Sequence, residues 1–280
     1  MIGQVELLNK INKLVQNGFP RFVVITGPEG QGKQTLMCEI ALKLQIPFVH
    51  FGIKVDEIRE MIKMAYKQTE PIIYVIANAD KMSLAAKNSL LKVIEEPPQN
   101  AYFIMTLQQI ENTLPTIKSR CQEFKLQNYT ETELDEMMNK INPLLDKEER
   151  VIILDIAENF YQINLINSYG VKEFYKYVEK VVNNIYRVQS ANSFKISEKI
   201  DIKGDGEGYD LNLFFQAFKS ICYNNMVYLI DDDDEKDYFI NYHKSIEITS
   251  KYQHKLNITG INRQGVIDRW ILDIRKIWRD

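Results

Sequence analysis

An α/β fold built on a parallel five-stranded sheet, followed by helices alone, is what this sequence predicts. Three observations carry that expectation. Five short runs rich in branched or aromatic residues recur up to Leu126, stretches with helical spacing separate them, and from Thr130 onward only the helical spacing remains. Buried strands that alternate with amphipathic helices form a largely parallel sheet with helices on both faces, because each crossover returns the chain in the same direction.

The strand runs are residues 22–26, 48–52, 72–77, 102–107 and 122–126. After the first run, Leu36, Met37, Ile40, Ala41 and Leu44 form one apolar helical stripe; after the second, Ile58, Met61, Ile62 and Ala65 form another. A third helix is expected to begin at Ser83, whose hydroxyl can accept from the free first-turn amides, and to stop before Pro97 and Pro98, which cannot continue it. Pro115 suits the first turn of a short helix, where its missing N–H leaves nothing unpaired. In the second half, residues 130–141, 146–160 and 171–188 each carry apolar positions three or four apart. A polar, glycine-bearing stretch at 197–209 separates them from three further helical segments, 210–230, 238–256 and 265–280.

With 280 residues and 45% hydrophobic content, the chain can bury one large core and smaller ones beside it. Its formal charge of −3 lacks the basic excess of a stand-alone nucleic-acid binder, so any DNA contact is expected to be weak or shared with partners. Cys38, Cys121 and Cys222 lie far apart and form no C-x-x-C pair, which argues against a disulfide framework or a thiolate metal site. No basic-then-apolar leader and no run of about 18 apolar residues is present. A soluble, cytoplasmic protein without membrane contact is expected. The four aspartates at 231–234 read as a solvated loop, since adjacent acids repel and point apart.

The run 22–26 leads directly into Gly27, Pro28, Glu29, Gly30, Gln31, Gly32 and Lys33 and then into a helix, the strand, glycine loop and helix order of a P-loop. Glycines let backbone amides curl around a phosphate, while the helix N-terminus and Lys33 add positive potential. The next position should offer a hydroxyl to Mg²⁺, yet it is Gln34. Thr35 arrives one residue late, rotated by about 100° around the helix. In nucleotide-driven motors an apolar strand ends in acidic residues that support the metal and orient the attacking water. Here the corresponding strand ends in Ala77 and Asn78, so both acids are lost. Three parts of a hydrolytic site are missing, and negligible turnover is expected.

Three blocks, Asn78-Ala79-Asp80-Lys81-Met82, then Asn88 through Pro98 (NSLLKVIEEPP), then Ser119-Arg120-Cys121, closely resemble the bacterial DNA polymerase III clamp-loader AAA+ subunits in order and spacing. The resemblance covers about the first 128 residues. That family contains a motor subunit, gamma or tau, and delta-prime, which usually does not hydrolyse ATP; the degenerate Ala77 and Asn78 resemble delta-prime. Its members often carry a four-cysteine zinc module that has no counterpart between Cys38 and Cys121, so no zinc is expected.

The resemblance implies an AAA+ P-loop core at 1–128, a helical lid at 129–187 and an all-α C-terminal collar at 188–280. It assigns Arg120 the role of an arginine finger facing ATP in the neighbouring subunit, and Thr106 the place of a γ-phosphate sensor. The implied partners are gamma/tau and delta in a pentameric ring, with the sliding clamp and primer-template DNA reached through the complex. No cofactor is essential on this reading, although ATP or ADP can be bound without hydrolysis. Two alternatives stand beside it: an active ATPase in which Thr35 and Asp80 take the metal roles, and an AAA+ scaffold in another phage or plasmid DNA-associated assembly. Trp270 and Trp278 are expected to serve packing.

Overall fold

The computed structural model describes residues 2–185, 199–201, 208–229, 235–256 and 261–278. The chain forms two compact units, Met1–Glu133 and Leu134–Asp280. The expected boundary between lid and collar at 187/188 lies outside the described residues, as do the four aspartates at 231–234.

The first unit runs α1 (Val5–Asn17), β1 (Phe22–Thr26), α2 (Lys33–Leu44), β2 (Phe48–Phe51), α3 (Val55–Lys67), β3 (Ile72–Ile76), α4 (Leu84–Glu95), β4 (Ala101–Leu107), α5 (Pro115–Lys118) and β5 (Gln122–Lys125). Short 3-10 turns, Ala79–Lys81 and Ile110–Asn112, follow β3 and β4. The sheet order is β2-β3-β4-β1-β5, and every pairing is parallel. Side chains of a strand alternate between faces, and this divides the core in two. Val23, Ile25, Ile73, Val75 and Ile104 pack with Ile11 of α1 and Leu36, Met37 and Ile40 of α2. Phe22, Val24, Tyr74, Ile76, Phe103 and Met105 pack on the other side with Ile58 and Met61 of α3 and Leu90 and Val93 of α4.

Local chemistry sets the boundaries of α4 and α5. Ser83 Oγ accepts from the Ala86 amide at 3.2 Å, which satisfies one of the first-turn donors of α4. The helix closes at Glu95, two residues before Pro97, and Pro115 stands in the first turn of α5. Helix α1 is not among the segments singled out above, although Leu7, Leu8, Ile11, Leu14 and Val15 have helical spacing and pack into the core. It is tied down by Gln4, whose amide donates to the Gln127 carbonyl at 2.7 Å and accepts from the Gln127 N–H at 2.9 Å.

The second unit contains α6 (Glu131–Ile141, whose first turn carries the unit boundary), α7 (Lys147–Ile156), α8 (Phe160–Tyr169), α9 (Val171–Asn184), α10 (Leu211–Tyr228), α11 (Lys236–Lys255) and α12 (Arg263–Ile277). The helix expected over 146–160 ends early, at Ile156. Asn159 then caps a separate helix α8, its side chain accepting from the Gln162 amide at 3.0 Å. Within the stretch read as a separator, β6 (Ile200–Asp201) pairs in parallel with β7 (Tyr209–Asp210), a small addition to an otherwise helical unit. Trp270 lies fully buried among Phe214, Phe215 and Phe218, and its indole N–H donates to Thr249 Oγ1 at 2.9 Å. Trp278 donates to Ser245 Oγ at 3.1 Å. No described helix is long and apolar enough to cross a membrane.

Candidate functional site

Strand β1 lies between β4 and β5 with all its residues buried, so it delivers Gly27 to a fixed point at the C-terminal edge of the sheet. Gly27 has φ 153°, and a Cβ there would stand 3.1 Å from that of Leu126. Gly30 and Gly32 also have positive φ, at 82° and 88°. Only glycine visits such values freely, and the resulting curl leads into α2 with Gly32 as its N-cap and no side chain capping the first turn. The first-turn amides of α2 therefore remain available to an anion.

Lys33 completes this cradle. Its Nζ donates to the carbonyls of Gly27 at 2.6 Å and Pro28 at 2.7 Å. An ammonium has three protons, so one is left for a phosphate oxygen. Burial holds its pKa below the ordinary lysine value, while the charges of Asp80 and Glu29 act in the opposite direction. Gln31 is buried and anchors the underside of the loop: its carbonyl accepts from Tyr129 OH at 2.9 Å, and its amide lies 3.5 Å from Asn128 Oδ1.

Magnesium, the usual companion of such a loop, does not fit the residues present. The Gln34 amide nitrogen, where a hydroxyl ligand belongs, lies 3.2 Å from His50 Nε2 at the edge of β2. Thr35 is exposed on α2. Ala77 offers no donor, and the exposed Asn78 sits in the left-handed region with φ 53°. Asp80 is already committed: its two carboxylate oxygens accept from the Gln108 amide at 2.9 and 3.0 Å, and Oδ1 also accepts from Asn112 Nδ2 at 2.9 Å. Asp80 holds the turn after β4 to the turn after β3. Thr106, the sensor candidate, is buried, and its Oγ1 accepts from the Asn78 amide at 3.0 Å.

The parallel sheet thus gathers Gly27, Pro28, Glu29, Gly30, Gln31, Gly32 and Lys33 with Ala77, Asn78 and Thr106 at its C-terminal edge. Arg120 stands elsewhere. It precedes β5, whose Gln122 is in register with Val23 and whose Lys125 is in register with Thr26. The phosphate loop follows Thr26, so Arg120 and Lys33 lie at opposite ends of adjacent parallel strands, about 15 Å apart along the strand direction. The half-exposed Arg120 guanidinium meets Glu95 Oε1 at 3.2 Å and donates to the Thr116 carbonyl at 3.1 Å. Two of these partnerships, Gln34 with His50 and Arg120 with Glu95, escaped the sequence reading, because residues 16 and 25 positions apart carry no local spacing signal.

Comparison with known proteins bears on residues 8–130, which match the family described as "DNA polymerase III, delta subunit". The chain is 32% identical over 136 residues to DNA polymerase III subunit gamma of Buchnera aphidicola subsp. Schizaphis graminum, a match covering 45% of this chain and 38% of that one. It is 36% identical over 73 residues to DNA polymerase III subunit delta' of Haemophilus influenzae, covering 26% and 22%. The chain therefore spans well under half the length of these relatives. Among solved structures, a DNA polymerase III gamma subunit-related protein from Thermotoga maritima aligns over 98% of this chain and all of that one, with TM-score 0.55 and 17% identity. That likeness establishes an AAA+ fold with a helical C-terminal part.

Proposed function

From the premise that residues 8–130 make this chain a member of the DNA polymerase III clamp-loader family, we propose that it is a delta-prime-like subunit that does not hydrolyse ATP. On this reading it takes its place in a pentameric ring with gamma/tau and delta, helps load the sliding clamp onto primed DNA, and offers Arg120 to ATP held by the adjacent motor subunit. It works in the cytoplasm and reaches DNA through the complex.

The single observation that carries the reading is the position of Arg120. It projects an exposed guanidinium from the edge of the sheet opposite the chain's own phosphate loop, too far away to serve a nucleotide there. Held by Glu95 and the Thr116 carbonyl but still exposed, a cation so placed is open to a group brought by another molecule. Stabilising charge on a transferring phosphoryl group in trans is worth roughly 10³ to 10⁵ in rate. The loss of hydrolytic capacity in the chain itself is supported by the donor set around Gln34, Ala77 and Asn78 and by the prior engagement of Asp80.

The test is reconstitution with gamma/tau and delta, followed by clamp- and DNA-stimulated ATPase. The wild-type chain should support turnover, and Arg120→Ala should depress it without affecting assembly. Unchanged turnover in the Arg120→Ala complex rejects the finger. Turnover by the isolated chain that Lys33→Ala abolishes restores the ATPase alternative, and failure to assemble with either subunit moves the chain to another AAA+ assembly.

A further inference from the structure

We propose that a groove in the second unit, between the end of α7 and one face of α10, binds a small zwitterion of the amino-acid type, with its carboxylate on Gln216 and Lys219 and its ammonium on Glu158 and Asp155. The site involves neither Arg120 nor the phosphate loop.

The groove has a volume of about 450 Å³, within the range of small-molecule sites. Residues 154–158, at the end of α7 and in the turn after it, form one wall, and Ile246 and Ser250 of α11 contribute to another. Gln216, Lys219, Ser220 and Tyr223 line it from α10. They are spaced at three, four and seven residues and so share one face of that helix.

Gln216 is the innermost polar group, only 9% exposed. A relay of hydrogen bonds fixes which way its amide faces. The Glu158 backbone N–H donates to Gln162 Oε1 at 2.7 Å, so the other end of the Gln162 amide must be a donor, and it donates to Gln216 Oε1 at 2.9 Å. Gln216 Nε2 is thereby turned away from Gln162, and its two protons have no partner among the described residues. A buried donor without an acceptor is costly, and a ligand that supplies an oxygen recovers that cost.

Lys219 stands one helical turn further on, partly buried. Burial lowers its pKa, and the charge of Glu158 acts in the opposite direction. Yet Lys219 makes no ion pair or hydrogen bond among the described residues, so the groove holds a cation and a carboxylate that do not touch. Glu158 and Asp155 are exposed, and Asp155 Oδ2 accepts from Asn224 Nδ2 at 3.2 Å, which leaves Oδ1 for another donor.

The chemistry of the ligand follows from these charges. Neighbouring donors on Gln216 and Lys219 suit the two oxygens of a carboxylate. One cation against two carboxylates leaves the groove net negative, which disfavours a plain anion and favours a molecule that carries a positive charge beside its carboxylate. Leu154, Ala157 and Ile246 offer an apolar wall for the rest of the molecule.

Titration of the full chain with L-leucine, followed by the NMR signals of the Gln216 side-chain amide and by calorimetry, tests the proposal. L-leucine should shift those signals and bind with a dissociation constant of about 1 mM or below. Isoamylamine, which lacks the carboxylate, and isocaproate, which lacks the ammonium, should each bind at least about tenfold more weakly. Gln216→Glu keeps the acceptor for Gln162 but puts an anion where the free donors stand, and it should abolish binding with an unchanged circular dichroism spectrum. Lys219→Met keeps the length of the side chain without the charge and should weaken binding about tenfold, which decides the matter if Gln216→Glu does not fold. Gln216 signals unmoved by L-leucine overturn the proposal. So does L-leucine binding that is unchanged in either folded variant, or isocaproate bound as tightly as L-leucine. None of these outcomes touches the role of Arg120, which is read from turnover in the assembled complex.

Discussion

The Arg120 guanidinium rests on Glu95, Nη2 to Oε1 at 3.2 Å, while Nη1 donates to the Thr116 carbonyl at the foot of α5. Glu95 ends α4, within the block that resembles the clamp-loader family, so the pair joins two of the three blocks. Both side chains are substantially exposed, and such a pair contributes at most about 1 kcal/mol to stability. Glu95 thus holds the guanidinium in place without binding it strongly.

Replacing each partner in turn separates holding from action. Arg120→Ala should lower the ATPase of a reconstituted complex by about 10³. Glu95→Gln should leave it unchanged or raise it, with a change in unfolding free energy below about 1 kcal/mol. If Glu95→Gln depresses turnover as far as Arg120→Ala does, the carboxylate orients the finger for its work and is not merely its resting partner.

Asp80 is expected to be structural. Asp80→Ala leaves the Gln108 amide and the Asn112 side chain without their acceptor and should destabilise the first unit by about 1–3 kcal/mol in a denaturant titration. The response of nucleotide binding to Mg²⁺ should not change. Loss of a Mg²⁺ response that the wild-type chain displays would instead make Asp80 part of a metal site.

Thr106 ties β4 to the end of β3 through the Asn78 amide. Thr106→Val keeps the shape and removes the acceptor, so a loss of about 1–2 kcal/mol is expected. Thr106→Ser, which retains the hydroxyl, should recover part of it. No loss in Thr106→Val together with a loss in Thr106→Ser would show that the methyl group, and not the hydrogen bond, holds this junction.

Cys222 is buried in α10, and burial raises its thiol pKa well above the ordinary 9.0. The unfolded chain ionises near the ordinary value while the folded chain stays protonated, so above that pH the unfolded state binds fewer protons. This contribution to stability is fully present below about pH 8.5 and is lost as pH rises beyond it, at no more than about 1.4 kcal/mol per pH unit. Cys222→Ala should flatten the alkaline part of the stability profile. Thiol titration of the native protein should leave Cys222 unreacted until denaturant is added; prompt labelling of all three cysteines would contradict the burial.

Trp270 donates to Thr249 Oγ1 inside the aromatic cluster of the second unit. Trp270→Phe keeps an aromatic ring in the cluster but removes the bond to Thr249, whose hydroxyl still donates to the Ser245 carbonyl, for an expected loss of about 0.5–1.5 kcal/mol. Trp270→Ala should cost about 3–5 kcal/mol, followed by the change in tryptophan fluorescence on unfolding. A cost near zero for Trp270→Ala would mean that the helices repack around the missing ring.

The sequence by itself determined the parallel sheet, the phosphate loop, the start of α4 at Ser83 and its end before Pro97, and the helical character of the second half. These are written in spacings of two to four residues and in single residues whose backbone preferences are strong, so they are legible without neighbours. The break at Ile156 is a partial exception: Asn159 and Gln162 announce a new helix locally, but the apolar run before them favours continuity. What only the tertiary structure decided is the use of the polar side chains. Asp80, free in the sequence to be a metal ligand, is occupied by Gln108 and Asn112; Gln34 finds His50, and Arg120 finds Glu95. It also put Arg120 and Lys33 at opposite ends of the sheet. Hydrogen bonds and ion pairs form between groups that the fold brings within about 3 Å, whatever their separation along the chain, so no periodicity foretells them.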